Sequence, residues 1–187
     1  SLMKTDDSAA PPPDAVTIET RAGLKWVVVR TRPRGEKKVA MFCRARSLHH
    51  YLPLRRSIRR YPNKVAEFMV PMFSGYLFAH TNSEQRMLLE QTRNAIQIII
   101  PSEESETTLI TDLNDVQRLE QASLIGELVV RPEIAPGHQV IVKSGPLGGL
   151  SGIVERRKNK TRITVNIDLI GQSLTLEVDV SEVEVEF

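Results

Sequence analysis

Cysteine and aromatic residues are scarce in this chain of 187 residues, and long apolar runs are missing. The single cysteine, Cys43, excludes an internal disulfide framework and suits a reducing compartment such as the cytoplasm. The apolar runs are too short to span a bilayer, and no signal-peptide pattern opens the sequence, so we expect no membrane partner. Aromatic residues make up 5% of the chain, so any cluster of them is informative.

The sequence also lacks the groupings that catalysis and metal binding require. No nucleophile–base pair stands out, and the glycine-rich segment 145–149 lacks the Lys and Ser/Thr of a phosphate-binding loop. His49 and His50 are adjacent rather than spaced i, i+4 like helical metal ligands, and we interpret them as a solvated helix end. We therefore predict that the chain is not an enzyme and needs no cofactor or metal.

What the chain does have is a strongly uneven distribution of charge. Between Lys25 and Lys64 there are thirteen basic residues and one acid, Glu36. From Glu177 to the end, every charged residue is acidic. A basic front portion on a chain of net charge +2 predicts contact with nucleic acid or with an acidic partner surface.

The first two thirds of the chain predict a tail followed by one mixed domain. Residues 1–22 hold three consecutive prolines and few large apolar residues, so we expect a disordered tail. Over residues 23–125, apolar periodicity predicts strands at 26–29, 51–60, 65–70, 73–80 and 96–100, and helices at 36–50, at 84–91 after Ser83, and after Thr111. This order predicts an α+β domain of the split-βαβ, ferredoxin-like kind, with its helices on one sheet face.

The last third of the chain has a different character. Residues 126–135 contain Pro132, are followed directly by Pro136, and are expected to form a linker between two domains. Residues 136–187 contain short β-branched segments separated by turn signals such as Gly171-Gln172. This pattern predicts a second domain, a small five-stranded β-barrel.

Alternation by twos suggests a partner-binding surface on the first sheet. Trp26, Val28 and Arg30 share one side of the first strand, and Tyr76 and Phe78 share one side of a later strand. If these sides coincide with that of Ile98, the open face of the sheet is an apolar anchor beside an arginine, the composition of an interface hot spot. An alternative is RNA binding by base stacking, because segment 74–81 partly fits the RNA-recognition octet.

A second surface is predicted around the turn at Pro62-Asn63. The two strands beside it carry five basic residues: Arg55, Arg56, Arg59, Arg60 and Lys64. Alternation places Arg55 and Arg59 on one side and Arg56 and Arg60 on the other, so neither side of the hairpin is apolar enough to be buried. A protruding hairpin of this kind fits the phosphate backbone of nucleic acid.

These motifs, in this order, resemble the NusG family of transcription elongation factors. The resemblance of the front domain is carried by Trp26-Val27-Val28, by Tyr51-Leu52-Pro53 and especially by segment 71–78. The back domain resembles a KOW module through segments 136–140, 145–147 and 149–154. The resemblance covers residues 24–187. Ser74 stands where the family usually has proline.

The resemblance implies a function in transcription. The front domain would bind the clamp helices of the largest subunit of RNA polymerase, suppress pausing and favour elongation. The positions of polymerase contact carry over onto Arg30, Phe73, Tyr76, Phe78 and Ile98. The basic hairpin, with Arg86 and Arg93, would face upstream or non-template DNA.

For the back domain, the resemblance implies recruitment of a second factor, either the termination helicase Rho or a ribosomal protein of the small subunit. The expected contact positions are Leu147, Leu150 and Ile170. All three are aliphatic where housekeeping members are aromatic, which favours a specialised antitermination paralogue of the RfaH or UpxY type. We expect a cytoplasmic monomer. The alternative is an RNA-binding or ribosome-associated KOW module.

Overall fold

The structure is a computed structural model that describes most of the chain. The described residues are 16–122, 127–132, 139–144, 147, 150–157, 160–179 and 184–186. They form a mixed α/β arrangement with two larger sheets and one separate hairpin.

The first sheet has four antiparallel strands in the order β2-β5-β1-β6. Its strands are β1 (Lys25–Thr31), β2 (His49–Tyr51), β5 (Tyr76–Thr81) and β6 (Ala95–Ile99). The central strand β1 pairs with β5 and β6, both of which follow much later in the chain. This order is that of a split-βαβ unit, as the sequence predicts.

Helices cover both faces of this sheet, not one. The helices are α1 (Glu36–Ala45), α2 (Ser83–Leu89) and α3 (Glu103–Gln121). Buried residues of α1 and α2 belong to one core cluster with Val27 and Val29 of β1. Buried residues of α3 belong to a second cluster with Trp26 and Val28, whose side chains point to the opposite face. The prediction of an open sheet face is therefore wrong.

The start of α3 explains this difference. A cap at Thr111 was expected, but the observed cap lies nine residues earlier, at Ser102, whose Oγ accepts a hydrogen bond from the Ser105 N–H. The Thr111 hydroxyl donates instead to the carbonyl of Thr107, one turn back within the helix. Acidic residues in the first turn of α3 also favour an early start, because they interact well with the positive end of the helix dipole.

Two smaller boundaries also differ from the sequence prediction. Helix α1 ends at Ala45 because Ser47 has a left-handed φ of 54°, and His49 and His50 then lie in β2 rather than at a helix end. Helix α2 is capped by Asn82, not Ser83; the Asn82 side chain accepts from the Gln85 N–H in a capping box.

Residues 16–19 form an ordered strap along α3 and β1. Asn114 and Gln117 of α3 donate side-chain hydrogen bonds to the carbonyls of Ile18 and Val16, at 2.9 and 3.0 Å. Ile18 is buried in the core. The predicted disordered tail, 1–22, is thus wrong for its last part, because these backbone acceptors have partners on α3. Residues 1–15 lie outside the described residues.

The predicted basic hairpin is present as a separate two-stranded sheet. Strands β3 (Leu54–Tyr61) and β4 (Lys64–Pro71) pair antiparallel, and Tyr61 lies opposite Lys64 across the turn. Its base is held by the Met72 N–H, which donates to the Pro53 carbonyl at 2.8 Å, and by Lys37 of α1, whose Nζ donates to the Met69 carbonyl at 2.6 Å.

The last part of the chain forms a six-stranded antiparallel sheet in the order β12-β8-β9-β10-β11-β7. Its strands are β7 (Glu127–Pro132), β8 (Gln139–Ser144), β9 (Ser151–Arg157), β10 (Lys160–Ile167), β11 (Gln172–Asp179) and β12 (Glu184–Glu186). The expected linker, 126–135, contains β7, which pairs with β11. The prediction of short strands within residues 136–187 is confirmed for the described residues, and the closed five-stranded barrel stays a prediction.

Candidate partner-binding surfaces

The predicted apolar platform on the first sheet is buried. Val28 lies opposite Phe78, so the two side chains share a face as alternation predicted. However, Trp26, Val28, Phe73 and Phe78 are all 0% exposed, because α3 covers this face. The prediction that these aromatic rings are accessible is wrong, and base stacking on Phe78 is excluded for the same reason.

Trp26 is a core residue held on several sides. Its backbone N–H donates to Oε2 of Glu106 on α3 at 2.6 Å, and its Nε1 donates to the Glu19 carbonyl in the strap at 3.2 Å. The indole stacks on His80, with ring centroids 4.7 Å apart and planes 4° from parallel. Burial lowers the pKa of His80 to about 4, so this imidazole is neutral near pH 7.

Ile98 lies on the other face of the sheet from Tyr76 and Phe78. It is opposite Val29 of β1 and packs against the cluster beneath α1 and α2. The prediction that placed Ile98 with Tyr76 is therefore wrong. Alternation relates residues within one strand, but the register between β1 and β6, which shifts at Arg30/Thr31, decides which residues become neighbours.

A smaller accessible surface remains at the end of this face. Arg30 lies opposite Tyr76 on one side and Gln97 on the other, which places these three residues in a row across β5, β1 and β6. Arg30 and Gln97 are exposed, and Tyr76 is half-buried. We call these three residues the Arg30 row.

The loop before Tyr76 is fixed by backbone contacts. Gly75 has a φ of 85°, a conformation that side chains other than glycine rarely adopt. Its N–H donates to the carboxylate of Glu36 at 2.7 Å, and its carbonyl accepts from the Thr31 N–H at 2.8 Å. The buried Glu36 therefore ties the start of α1 to the entry of β5 and so holds Tyr76 beside Arg30.

The basic hairpin has two chemically different faces. Register places one set of residues on the first face, here called the Arg59 face: Arg55, Ser57, Arg59, Tyr61, Lys64, Ala66, Phe68 and Val70. The opposite set is the Arg60 face: Leu54, Arg56, Ile58, Arg60, Val65, Glu67, Met69 and Pro71. The predicted separation of Arg55 and Arg59 from Arg56 and Arg60 is confirmed.

The sequence analysis did not single out Tyr61 and Phe68, the two aromatic residues of the Arg59 face. Alternation along β3 from Arg55 places Tyr61 on the same side and could have identified it. Tyr61 and Phe68 are 44% and 43% exposed. The Arg59 guanidinium lies 5.5 Å from the centre of the Phe68 ring, and the Lys64 ammonium lies 5.5 Å from that of Tyr61. Both pairs are within the range of a cation–π contact.

The two other predicted nucleic-acid residues differ in their surroundings. Arg86 is partly buried, and its guanidinium donates to the Thr81 carbonyl and to the Ser83 hydroxyl, at 3.1 and 3.3 Å. Arg93 is exposed between α2 and β6. Arg86 thus stabilises the first turn of α2, and a nucleic-acid role for either residue stays a prediction.

The residues predicted to bind a second factor are buried. Leu147 and Leu150 are 1% and 0% exposed, and Ile170 is also buried. They belong to the same core cluster as Leu109 and Leu113 of α3. The expectation that these side chains are accessible is wrong, because they fill the core of the C-terminal sheet and its contact with α3.

Three acidic residues meet where α3 lies beside the C-terminal sheet. A cavity of about 450 Å³ is lined by Asp112 and Asp115 of α3 and by Asp168. Burial, reinforced by Asp168 and Asp115, raises the pKa of Asp112 to about 7. Burial also raises the pKa of Asp115 to about 6. A hydrogen bond from the Ser151 backbone and the charge of Arg118 act in the opposite direction and lower this pKa, but burial has the larger effect.

We expect the packing of α3 against the C-terminal sheet to weaken as the pH rises. A pKa above the unfolded value favours the folded protein at low pH, and the benefit is lost between about pH 4 and pH 7 as Asp112 ionises. Asp112→Asn should therefore flatten the fall in the free energy of unfolding over this range, measured by urea titration at several pH values. Glu103→Gln, at an exposed position of α3, is the control. A parallel fall in wild type and Asp112→Asn would contradict the prediction.

The described part of the chain offers no metal centre and no membrane span. It contains no group of three or more His, Cys, Asp or Glu residues arranged to hold a metal ion. None of its helices has the length and apolar character needed to cross a bilayer.

Comparison with known proteins identifies the class of the chain as a transcription factor. A family model described as transcription termination factor NusG matches residues 24–120, more than half of the chain. The chain therefore belongs to the NusG family. The matched segment comprises the first sheet, the basic hairpin and nearly all of α3.

Solved structures resemble the chain at low identity. The structure described as domain interaction in Thermotoga maritima NusG is 19% identical, with 86% of this chain and 96% of that chain covered and a TM-score of 0.47. The structure of an MjSpt4:Spt5 complex is 17% identical, with 86% and 97% covered and a TM-score of 0.26. No curated protein matches the chain significantly.

Proposed function

We propose that this protein is a transcription elongation or antitermination factor that binds the clamp helices of the largest subunit of RNA polymerase. The observation that carries the proposal is the NusG family match over residues 24–120, which includes both candidate surfaces of the front domain. Binding to polymerase in this way would suppress pausing and favour processive elongation. Such a factor would act in the cytoplasm, as a monomer.

The Arg30 row is the surface of the first sheet that best fits a polymerase contact. An arginine beside a half-buried tyrosine combines a charged group with an apolar ring, a pairing common at interface hot spots. Phe73 and Phe78 support this surface from the core and do not touch a partner themselves. Ile98 lies on the other face and does not belong to the row.

The basic hairpin is the proposed DNA contact, on the upstream or non-template side. The C-terminal sheet is the proposed site for a second factor, either Rho or the small-subunit ribosomal protein. Leu147, Leu150 and Ile170 are too deeply buried to make that contact, so we propose it for other residues of the sheet. The same proposal holds that this sheet is part of a KOW domain and that the protein is a specialised antitermination paralogue of the RfaH or UpxY type.

Co-purification with RNA polymerase tests the proposed function. Tyr76→Ala and Arg30→Ala should each weaken polymerase binding about thirtyfold or more, because truncation of a hot-spot side chain typically removes about 2 kcal/mol or more. The matched controls are Tyr61→Ala on the hairpin and Arg44→Ala on α1, which remove the same side chains elsewhere.

Urea unfolding curves for every variant would show whether a loss of polymerase binding results from a loss of stability. We expect the urea midpoints of Arg30→Ala and Arg44→Ala to agree, since both side chains are exposed. Wild-type polymerase binding by the Tyr76→Ala and Arg30→Ala variants would rule out the Arg30 row. Absence of any binding by the wild-type chain, together with no effect in a pause assay, would reject the elongation function.

A further inference from the structure

The strap, residues 16–19, is held through its backbone. Each of its four consecutive carbonyls accepts a hydrogen bond from a side chain of α3, β1 or β2. The four bonds run from Gln117 Nε2 to Val16 (3.0 Å), from His49 Nε2 to Thr17 (2.9 Å), from Asn114 Nδ2 to Ile18 (2.9 Å) and from Trp26 Nε1 to Glu19 (3.2 Å). We call the surface formed by these four donors the strap groove. Carbonyls are common to every sequence, so bonds of this kind can hold any extended chain.

The side chains of the strap alternate between the core and solvent. Ile18 is 5% exposed and belongs to the core cluster that includes α3, and Val16 packs against the same cluster. Thr17 and Glu19 are exposed. Main-chain hydrogen bonds that give affinity, with pockets for alternate side chains that give specificity, are one way in which proteins recognise extended peptides. The strap therefore lies in its groove as a bound peptide would.

The connection between the strap and β1 allows the strap to leave while the first sheet stays paired. Residues 20–23 are exposed, and a turn follows in which the Leu24 N–H donates to the Arg21 carbonyl at 3.1 Å. Gly23 in this turn has a φ of 78°. The strap is not one of the four strands of the sheet. Its release therefore breaks bonds to side chains but none of the bonds between strands.

We propose that the strap groove binds an extended peptide from a partner protein, with an isoleucine in the pocket of Ile18 and the strap displaced. The strap shows the form of this ligand: an apolar residue, an exposed residue of any type, then the buried isoleucine. It is also the competitor of the ligand, because a short tether gives it an effective concentration on the order of millimolar. Partner binding is therefore weak until the strap is released.

The strap groove is separate from the Arg30 row. Trp26 and Arg30 are four residues apart on β1, about 13 Å at the usual rise of a strand. A peptide bound beside Trp26 therefore leaves Arg30 accessible. The inference goes beyond the proposed function and does not depend on polymerase binding.

Tryptophan fluorescence of the full chain tests whether the strap can be released. Trp26 is the single tryptophan of the chain, so its emission reports on the groove. Ile18→Asp should release the strap, because a carboxylate is costly to bury in an apolar pocket, and water reaching the indole should shift the emission to longer wavelength. Thr17→Asp is the matched control: it adds the same carboxylate at the neighbouring exposed position and should leave the emission unchanged. Circular dichroism shows whether each variant is folded, and Ile18→Ala replaces Ile18→Asp if the latter unfolds.

A peptide with the sequence of residues 16–21 is the probe for binding. It contains no tryptophan, so it adds no emission of its own. Added to the Ile18→Asp chain, it should move the emission of Trp26 back towards the wild-type wavelength. Fluorescence anisotropy of a labelled copy gives the affinity. If the strap occupies the groove for about nine tenths of the time or more, the wild-type chain should bind at least about tenfold more weakly than the Ile18→Asp chain. A second peptide, with aspartate in place of Ile18, should bind to neither chain.

The donors of the groove are tested in the chain with the released strap. Gln117→Ala, combined with Ile18→Asp, should weaken peptide binding roughly two- to tenfold, the usual effect of losing one hydrogen bond. Gln121→Ala removes the same side chain at an exposed position one turn later on α3 and should leave the affinity unchanged.

Four results would overturn the inference. Identical emission from folded Ile18→Asp and Thr17→Asp would show that the strap does not cover Trp26. Failure of the folded Ile18→Asp chain to bind the peptide at about 1 mM, the effective concentration of the tethered strap, would show that the groove is no peptide site. Equal binding of the two peptides would exclude the isoleucine pocket, and equal affinity of the wild-type and Ile18→Asp chains would exclude competition by the strap. These assays contain no polymerase, so a chain that fails to bind polymerase can still bind the peptide.

Discussion

Phe78→Ala is expected to lower the free energy of unfolding by about 3 to 5 kcal/mol, the usual effect of removing a buried phenylalanine. Phe78 is 0% exposed beneath α3. Its ring meets that of Phe73 edge to face, with centroids 6.5 Å apart. Alanine would remove this contact and leave a cavity between the sheet and α3. Urea unfolding followed by circular dichroism measures the change.

The control for this experiment is Tyr76→Ala, two residues earlier on the same face. Tyr76 is half-buried at the end of the face, so we expect a clearly smaller loss of stability. Equal effects of the two substitutions would mean that α3 does not cover Phe78 in solution. The comparison also matters for function, because loss of polymerase binding by an unfolded Phe78→Ala variant would say nothing about the contact surface.

Leu150→Ala should destabilise the C-terminal sheet by about 2 to 5 kcal/mol. Leu150 is 0% exposed, and its N–H donates to the Leu147 carbonyl at 3.0 Å in the turn before β9. Removing the side chain leaves a cavity in the core that the sheet shares with α3. Differential scanning calorimetry would show a lower transition temperature.

Leu169→Ala is the matched control, because Leu169 is only partly buried at the edge of the same core. We expect it to lower the transition temperature less than Leu150→Ala does. An unchanged transition in Leu150→Ala, combined with loss of a bound partner protein, would contradict the assignment of Leu150 to the core and restore it as a contact residue.

Much of the fold follows from local sequence signals. The alternation of Trp26, Val28 and Phe78 placed them on one face, and the register of β1 and β5 confirms it. The Pro62-Asn63 turn and its alternating arginines predicted the hairpin and the division of its two faces. For the hairpin, the signal and the structure lie within a few residues of one another, where alternation and turn chemistry act directly. The shared face of Val28 and Phe78 also depends on the pairing of two strands about 50 residues apart in the chain.

Local sequence signals could not predict which residues of the proposed contact surfaces are exposed and which are buried. Phe78 is buried by α3, more than twenty residues later, whose first half is rich in Glu and Thr and shows only a weak apolar stripe. Ile98 was assigned to the wrong face because register between strands is set by tertiary pairing. Leu147 and Leu150 have the same apolar character in a core as on a contact surface, so burial alone separates the two roles.

The strand order of the first sheet has a consequence for synthesis on the ribosome. Strand β1 at the centre pairs only with β5 and β6 among the described strands, and β5 ends at Thr81, about 50 residues after β1 ends at Thr31. At a synthesis rate of about 5 to 20 residues per second, β5 is completed roughly 3 to 10 s after the apolar segment Trp26–Val29 of β1, with which it pairs. During that interval the nascent chain presents an unpaired, valine-rich stretch that a ribosome-associated chaperone can bind.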